Sequence, residues 1–250
     1  MKKLSILAMM ILILAACGGK NTEKQSDEEQ TQAEAVTTSA NTEATEGEWE
    51  VLFDGSSLDK WRGFKKEAAD VNGWRIEEGT LTTDGDGGDL ITKEQYDNFI
   101  LELEWKISKG GNSGVIYRSL EDGYTTSWHT GPEYQIIDGD GYKDPLEENQ
   151  LTGANYALHP PLSRPLKTAG EEFNHTKIVV NDSHVEHWLN GEKVVEYELW
   201  SPEWEAMVKE TKFVDTPDYG KAKKGHIALQ GHGDKVWFKN IRIQKLEPSS

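Results

Sequence analysis

"NHTKIVVNDSHVEHWLNGEKVVEYEL", residues 174–199, reads as two β-hairpins in series. The turns fall at Asn181-Asp182 and Asn190-Gly191, residue types that tolerate the left-handed backbone of tight turns. Two hairpins joined end to end make three antiparallel strands, so the stretch points to an all-β chain. The neighbouring segments agree. In "FILELEWKIS" (99–108), Phe99, Leu101, Leu103, Trp105 and Ile107 alternate with Glu102, Glu104 and Lys106, the period of a half-buried strand. "GWRIEEGTLTTD" (73–84) predicts a hairpin turning at Glu78-Gly79, and "WEVLFD" (49–54) an edge strand. "SGVIYRSL" (113–120), "PEYQIID" (132–138), "GHIALQ" (225–230) and "VWFKNIRIQKL" (236–246) supply further strands. One segment breaks the pattern. "SPEWEAMVKETKF" (201–213) has Ser201 as an N-cap and Pro202 at the first helical position, which predicts a short surface helix. No fixed-period repeat is present, which disfavours solenoids and propellers. Many hairpin-linked strands predict a two-sheet antiparallel β-sandwich.

The ends of the chain are of different material. Lys2-Lys3, the apolar run Leu4–Ala16 and "LAAC" (14–17) match a signal peptide ending in a bacterial lipobox, with Cys17 as the lipidated residue. The alternative is an uncleaved anchor helix, but the run falls short of the roughly 20 apolar residues of a membrane span. Residues 18–46 hold no aromatic, Leu or Ile and predict a disordered tether. The expected organisation is therefore 1–17 signal and lipobox, 18–46 tether, 47–246 one domain, and 247–250 tail. The predicted location is the cell envelope, facing the periplasm or exposed on the outer membrane. Cys17 is the only cysteine, so the folded part has no disulfide and no thiolate chemistry. The net charge of −17 and the lack of a basic run exclude nucleic acid as a partner class.

Three strands carry polar groups where plain solvation does not require them. Asn112, Gly114, Ile116 and Arg118 are predicted to share a face. So are Glu133, Gln135 and Ile137, and likewise His226, Gln230 and His232. Together they offer a carboxylate, amides, a guanidinium and imidazoles, an inventory for binding sugar hydroxyls and moving protons. His129, His159, His175 and His184 read as solvent-facing, and His226 and His187 as more structural than functional on pattern alone. "TTDGDGGD" (82–89), with Asp84, Asp86 and Asp89, reads as a turn, since Gln95 stands where an EF-hand loop needs glutamate.

"LFDGSSLDKWRGF", "GGDLIT", "GGNSGVIYR", "GPEYQIID", "TGANYAL", "HVEHWLNGEKVVEYE" and "GHIALQGHG" followed by "VWFKNIRI" occur in this order between Trp49 and Leu246. In these motifs the chain resembles the 3-keto-disaccharide hydrolase family. The resemblance implies a concanavalin-like jelly roll and hydrolysis of glycosides already oxidised to the ketone at sugar carbon 3, through C2 proton abstraction, β-elimination and hydration. It carries Asn112, Arg118, Glu133, Gln135, Asp138, His187, Gln230 and His232 as site positions. The roles assigned on that basis are His232 as base, Glu133 as its orienter or the leaving-group acid, and Arg118 with the amides of Asn112, Gln135 and Gln230 as holders of the sugar and its oxyanion. The family motif usually reads L-Q-D-H-G, where this chain has Gly231. No cofactor is required. Glu133 and His232 could hold a divalent metal, which nothing in the sequence demands. Two other readings stay open: a conventional β-glycanase using Glu102, Glu104 and Glu133, and a non-catalytic sugar-binding lipoprotein.

Overall fold

A computed structural model describes residues 47–247. The expectations for residues 1–17, Cys17 and the segment 18–46 lie outside the described residues, as does most of the expected tail. Thirteen strands form: β1 (Trp49–Phe53), β2 (Trp61–Gly63), β3 (Arg75–Glu77), β4 (Thr80–Thr83), β5 (Leu90–Thr92), β6 (Phe99–Ile107), β7 (Asn112–Ser119), β8 (Glu133–Ile137), β9 (Asn174–Asn181), β10 (His184–Leu189), β11 (Glu192–Glu198), β12 (His226–Leu229) and β13 (Val236–Lys245). One helix, α1 (Pro202–Glu210), precedes β12. The strands make two antiparallel sheets. One has the order β11-β10-β9-β6-β13-β4-β3, with β1 also on β13; the other has the order β2-β5-β12-β7-β8.

β13 holds the larger sheet together by serving two neighbours on one edge. Its first half pairs with β4 and its second with β1. The register on β6 shifts between Lys239 and Arg242, where Asn240 takes a positive φ of 51°. That bulge bends the strand as it changes partner. Alternation then builds the core. Phe99, Leu101, Leu103, Trp105 and Ile107 of β6, with Phe238, Ile241 and Ile243 of β13, face Val115, Tyr117, Tyr134, Ile136, Ile227 and Leu229 of the other sheet. Each large side chain so buried contributes about 1.5–3 kcal/mol. This is the antiparallel two-sheet jelly roll.

The tight turns follow their residue types. Glu78-Gly79 (φ 51° and 74°) and Asn190-Gly191 (φ 49° and 89°) are left-handed pairs. The first hairpin of the 174–199 stretch turns one residue later than expected. Asn181 pairs with His184, so Asp182-Ser183 form the turn and Asp182 takes the positive φ of 56°. The helix is also shorter. Ser201 Oγ accepts from Trp204 N at 3.1 Å as expected, but α1 stops at Glu210. Thr211 is extended and caps a separate short 3₁₀ turn, Lys212–Asp215.

A second apolar cluster lies on the outer face of the five-stranded sheet. Phe64, Ile91, Ile116 and Ala228 form it, with Trp128 laid across them. A sheet face covered in this way leaves an opening only where the cover ends.

Candidate active site

The opening is built from alternation on three adjacent strands. Ile116 of β7 stands opposite Glu133 of β8, and Gly114 opposite Gln135. Ala228 of β12 pairs with Ile116, and Gln230 N donates to Gly114 O at 2.9 Å. Glu133, Gln135, Gly114, Asn112 and Gln230 therefore share the outer face. The Glu133 carboxyl lies directly over Gly114: a Cβ at 114 would stand 2.3 Å from Oε1. The glycine makes room for the acid. Glu133 is only 7% exposed. Burial pushes its carboxyl up to about 8; the Lys212 ammonium pulls the other way, and Asp89 adds to the rise. Burial thus favours its protonated form.

Beside it a hollow of about 300 Å³ is lined by Phe64, Trp128, Asp89, Gln230, Gly231 and His232, among others. His232 is exposed on a glycine-flanked loop that follows β12. Asp89, one residue before β5, accepts from Ser127 Oγ and, at 3.2 Å, from Gly231 N. Burial raises its pKa, against the lowering effect of those hydrogen bonds and of His232. Gly231 is required by the backbone. A Cβ there would meet Gly88 O at 2.4 Å, so an aspartate at 231 does not fit this loop. The carboxylate beside His232 comes from Asp89 instead.

Several expected site residues are elsewhere. Arg118 does not share the face of Ile116. Three residues of β7 span the same length as two of β12 between the Ile116–Ala228 and Ser119–His226 pairs, and Arg118 takes a positive φ of 55°. The bulge turns its guanidinium to the sheet margin. There it donates to Asp97 O at 2.9 Å, Asp182 O at 2.9 Å and Asn98 Oδ1 at 3.3 Å, with Trp200 against it. It ties loops together there. His187 is fully buried between the sheets, with Nδ1 3.0 Å from Gly153 O and Nε2 3.0 Å from Tyr117 Oη. Burial depresses its pKa to about 4, so it is a neutral core imidazole. Asp138 accepts from Gly110 N at 2.7 Å and fixes a turn. Gln135 faces the right way, but its Nε2 donates to Gln150 O at 3.2 Å. Asn112 is held through its backbone N, 3.0 Å from Asp234 Oδ2, while its Oδ1 is buried without a partner.

His159 is not solvent-facing: it stacks on Tyr197 at 4.7 Å, and burial lowers its pKa to about 4. Glu102 and Glu104 are on β6, in the other sheet, so they do not converge with Glu133. Glu133 and His232 likewise do not belong to a three-donor cluster. Among the described residues the group of that kind is His184, Glu186 and Glu196, at the far margin of the larger sheet. Sequence reading missed Asp89, taken as part of a turn, together with Ser127, Trp128 and Lys212. The one available signal was that Asp89 ends a glycine run immediately before a strand.

The smaller sheet thus carries a buried acid over a glycine, with an imidazole and a second acid on the loops beside it, an arrangement suited to a carbohydrate-active jelly roll. Residues 48–244 match the sequence profile of the 3-keto-alpha-glucoside-1,2-lyase-like domain, and the chain belongs to that family. It is 33% identical to a 3-keto-disaccharide hydrolase of Bacteroides thetaiotaomicron, over 94% of this chain and 95% of that protein. The crystal structure of a candidate glycosyl hydrolase from Parabacteroides distasonis superposes with a TM-score of 0.75 at 37% identity, covering 80% of this chain and 94% of that one. A second such protein from the same organism gives 0.61 at 26% identity, over 80% and 100%.

Proposed function

We propose that the chain hydrolyses the glycosidic bond of 3-keto glycosides by elimination and hydration. The C3 ketone acidifies the proton on C2. His232 takes that proton, with Asp89 beside it to favour the imidazolium that forms. The electron pair moves through an enolate on the ketone oxygen, and the C1–oxygen bond breaks. Glu133 gives its proton to the departing oxygen. Water then adds across the C1–C2 double bond: hydroxide joins C1 as Glu133 takes the water proton, and His232 returns its proton to C2. The sum is substrate plus water giving the 3-keto sugar and the free alcohol. General acid and base steps of this kind are worth about 10²–10⁴-fold each.

The observation that carries the reading is the burial of the Glu133 carboxyl over Gly114. An elimination needs an acid at the leaving group that is neutral when the base is also neutral, and burial over Gly114 supplies it. Gln230 is the amide best placed to donate to the enolate oxygen, the role Arg118 does not reach. The family and the relative from Bacteroides thetaiotaomicron support the substrate class. The test is incubation of the protein with 3-keto-glucosides and with their unoxidised parents. Release of the alcohol from the 3-keto compounds is expected; release from the parents alone defeats the proposal.

A further inference from the structure

The acid that protonates a leaving oxygen stands between the sugar that reacts and the group that departs. In this protein Glu133 opens β8, the edge strand of the five-stranded sheet. On one side of it, across β7 and β12, is the hollow with Gln230, His232 and Asp89. On the other side, past the sheet edge, is a corner walled by rings. Tyr156 is fixed there by its backbone N, which donates to Glu133 O at 3.0 Å. Lys212, at the start of the 3₁₀ turn after α1, brings its Nζ to 4.5 Å from the Tyr156 ring centre and 4.9 Å from that of Trp128. Trp128 also lines the hollow, so it is a wall common to both sides.

We infer that Lys212, Tyr156 and Trp128 form the subsite for the departing group, and that Lys212 is a specificity-determining residue selecting a second sugar there over a small alkyl group. The inference rests on the role given to Glu133 above. Two properties of the corner fit a sugar. Aromatic faces stack on the C–H faces of pyranose rings. An ammonium not tied up by a close carboxylate retains donors for hydroxyls; Glu133 acts on Lys212 through its charge, but among the described residues no ion pair within 4 Å engages the Lys212 ammonium. The rings hold it by cation–π attraction without consuming its donors.

The experiment compares a 3-keto disaccharide with methyl 3-keto-glucoside on wild-type protein, Lys212→Met and Lys212→Arg. Methionine keeps the apolar stem against the rings and removes the donors. The expected result is a kcat/KM loss about tenfold larger on the disaccharide than on the methyl glycoside in Lys212→Met, and largely recovered in Lys212→Arg. Equal losses on both substrates, or none on either, overturn the subsite. If wild-type protein turns over neither compound, the elimination chemistry has failed. The same comparison is then made by calorimetry on the binding of the disaccharide and the methyl glycoside, where a Lys212→Met loss confined to the disaccharide upholds the subsite and equal or absent losses overturn it.

Discussion

The outer faces of the two sheets both carry glutamate, Glu102 and Glu104 on β6 of the larger and Glu133 on β8 of the smaller, and they treat it in opposite ways. On β6 of the larger sheet both acids meet a cation across the ladder. Glu102 lies opposite Arg242 and accepts from its Nε at 2.9 Å; Glu104 lies opposite Lys239, with Nζ at 3.2 Å, and also accepts from Asn240 at 2.6 Å. Burial alone would raise the Glu104 pKa, but Asn240 and Lys239 outweigh it and hold the carboxyl below its ordinary value. On the smaller sheet the row through Glu133 is Ile116, Ala228 and Ile91. No cross-strand cation meets this acid, so it keeps its proton. Alternation decides which side an acid faces; the residue across the ladder decides whether it is charged.

The largest expected effect sets these two acids against each other. Glu133→Gln should lower kcat on a 3-keto glycoside about a thousandfold by removing a general acid, while Glu104→Gln should stay near wild type. Similar losses in both would erase the contrast. Stability carries a second signature. Glu133 ionises at about 8 when folded against 4.5 ordinarily, so between those values the folded state binds more protons than the unfolded one. The stability linked to this proton is complete below about 4.5 and is lost as pH rises through about 8. In denaturant titrations Glu133→Gln should lack that decline and exceed wild type on the alkaline side. Wild-type kcat should fall across the same alkaline limb.

The features legible in the sequence were those that repeat or that need a special backbone. The period of β6 and the Asn190-Gly191 and Glu78-Gly79 turns mark their structure in the residues themselves, and the two-sheet fold follows from them. What was hidden depends on pairing. The bulge at Tyr117–Arg118 is a difference in length between β7 and β12, visible in neither strand alone, and it removes Arg118 from the face its spacing assigned. His187 has the alternation of a core position, but only its partners Tyr117 and Gly153 explain a histidine there. Asp89 is one of several acids in a glycine-rich turn until Gly231 closes on it from far along the chain. Glu133 and His232 could be named as candidates from face spacing and the family motifs, whereas the raised pKa of Glu133 needed the apolar row beside it.

A smaller effect is expected from the floor beneath the acid. Gly114 has no positive φ, so alanine suits its backbone, but the added Cβ would lie 2.3 Å from Glu133 Oε1 and 3.0 Å from its Cδ. The carboxyl would have to swing aside. Gly114→Ala should keep the fold, with unchanged circular dichroism, and lower kcat about tenfold through misplacement of the acid. Wild-type turnover in this variant would show that the position of the carboxyl over the glycine is irrelevant to the reaction.

The smallest effect tests the charged side of the contrast. Arg242 and Glu102 are a pair on a wet face, with the Arg242 side chain 50% exposed, and pairs of this kind are worth about 0–1 kcal/mol. Glu102→Gln should shift the denaturation midpoint only slightly, and less still at high salt, where screening weakens the pair already. Turnover should not change. A double-mutant cycle with Arg242→Gln isolates the pair itself, because each single change also removes a surface charge from an acidic protein. A coupling well above that range would mean the larger sheet depends on its ion pairs as strongly as the smaller sheet's chemistry depends on lacking one, and the two faces would differ in function without differing in energetic weight.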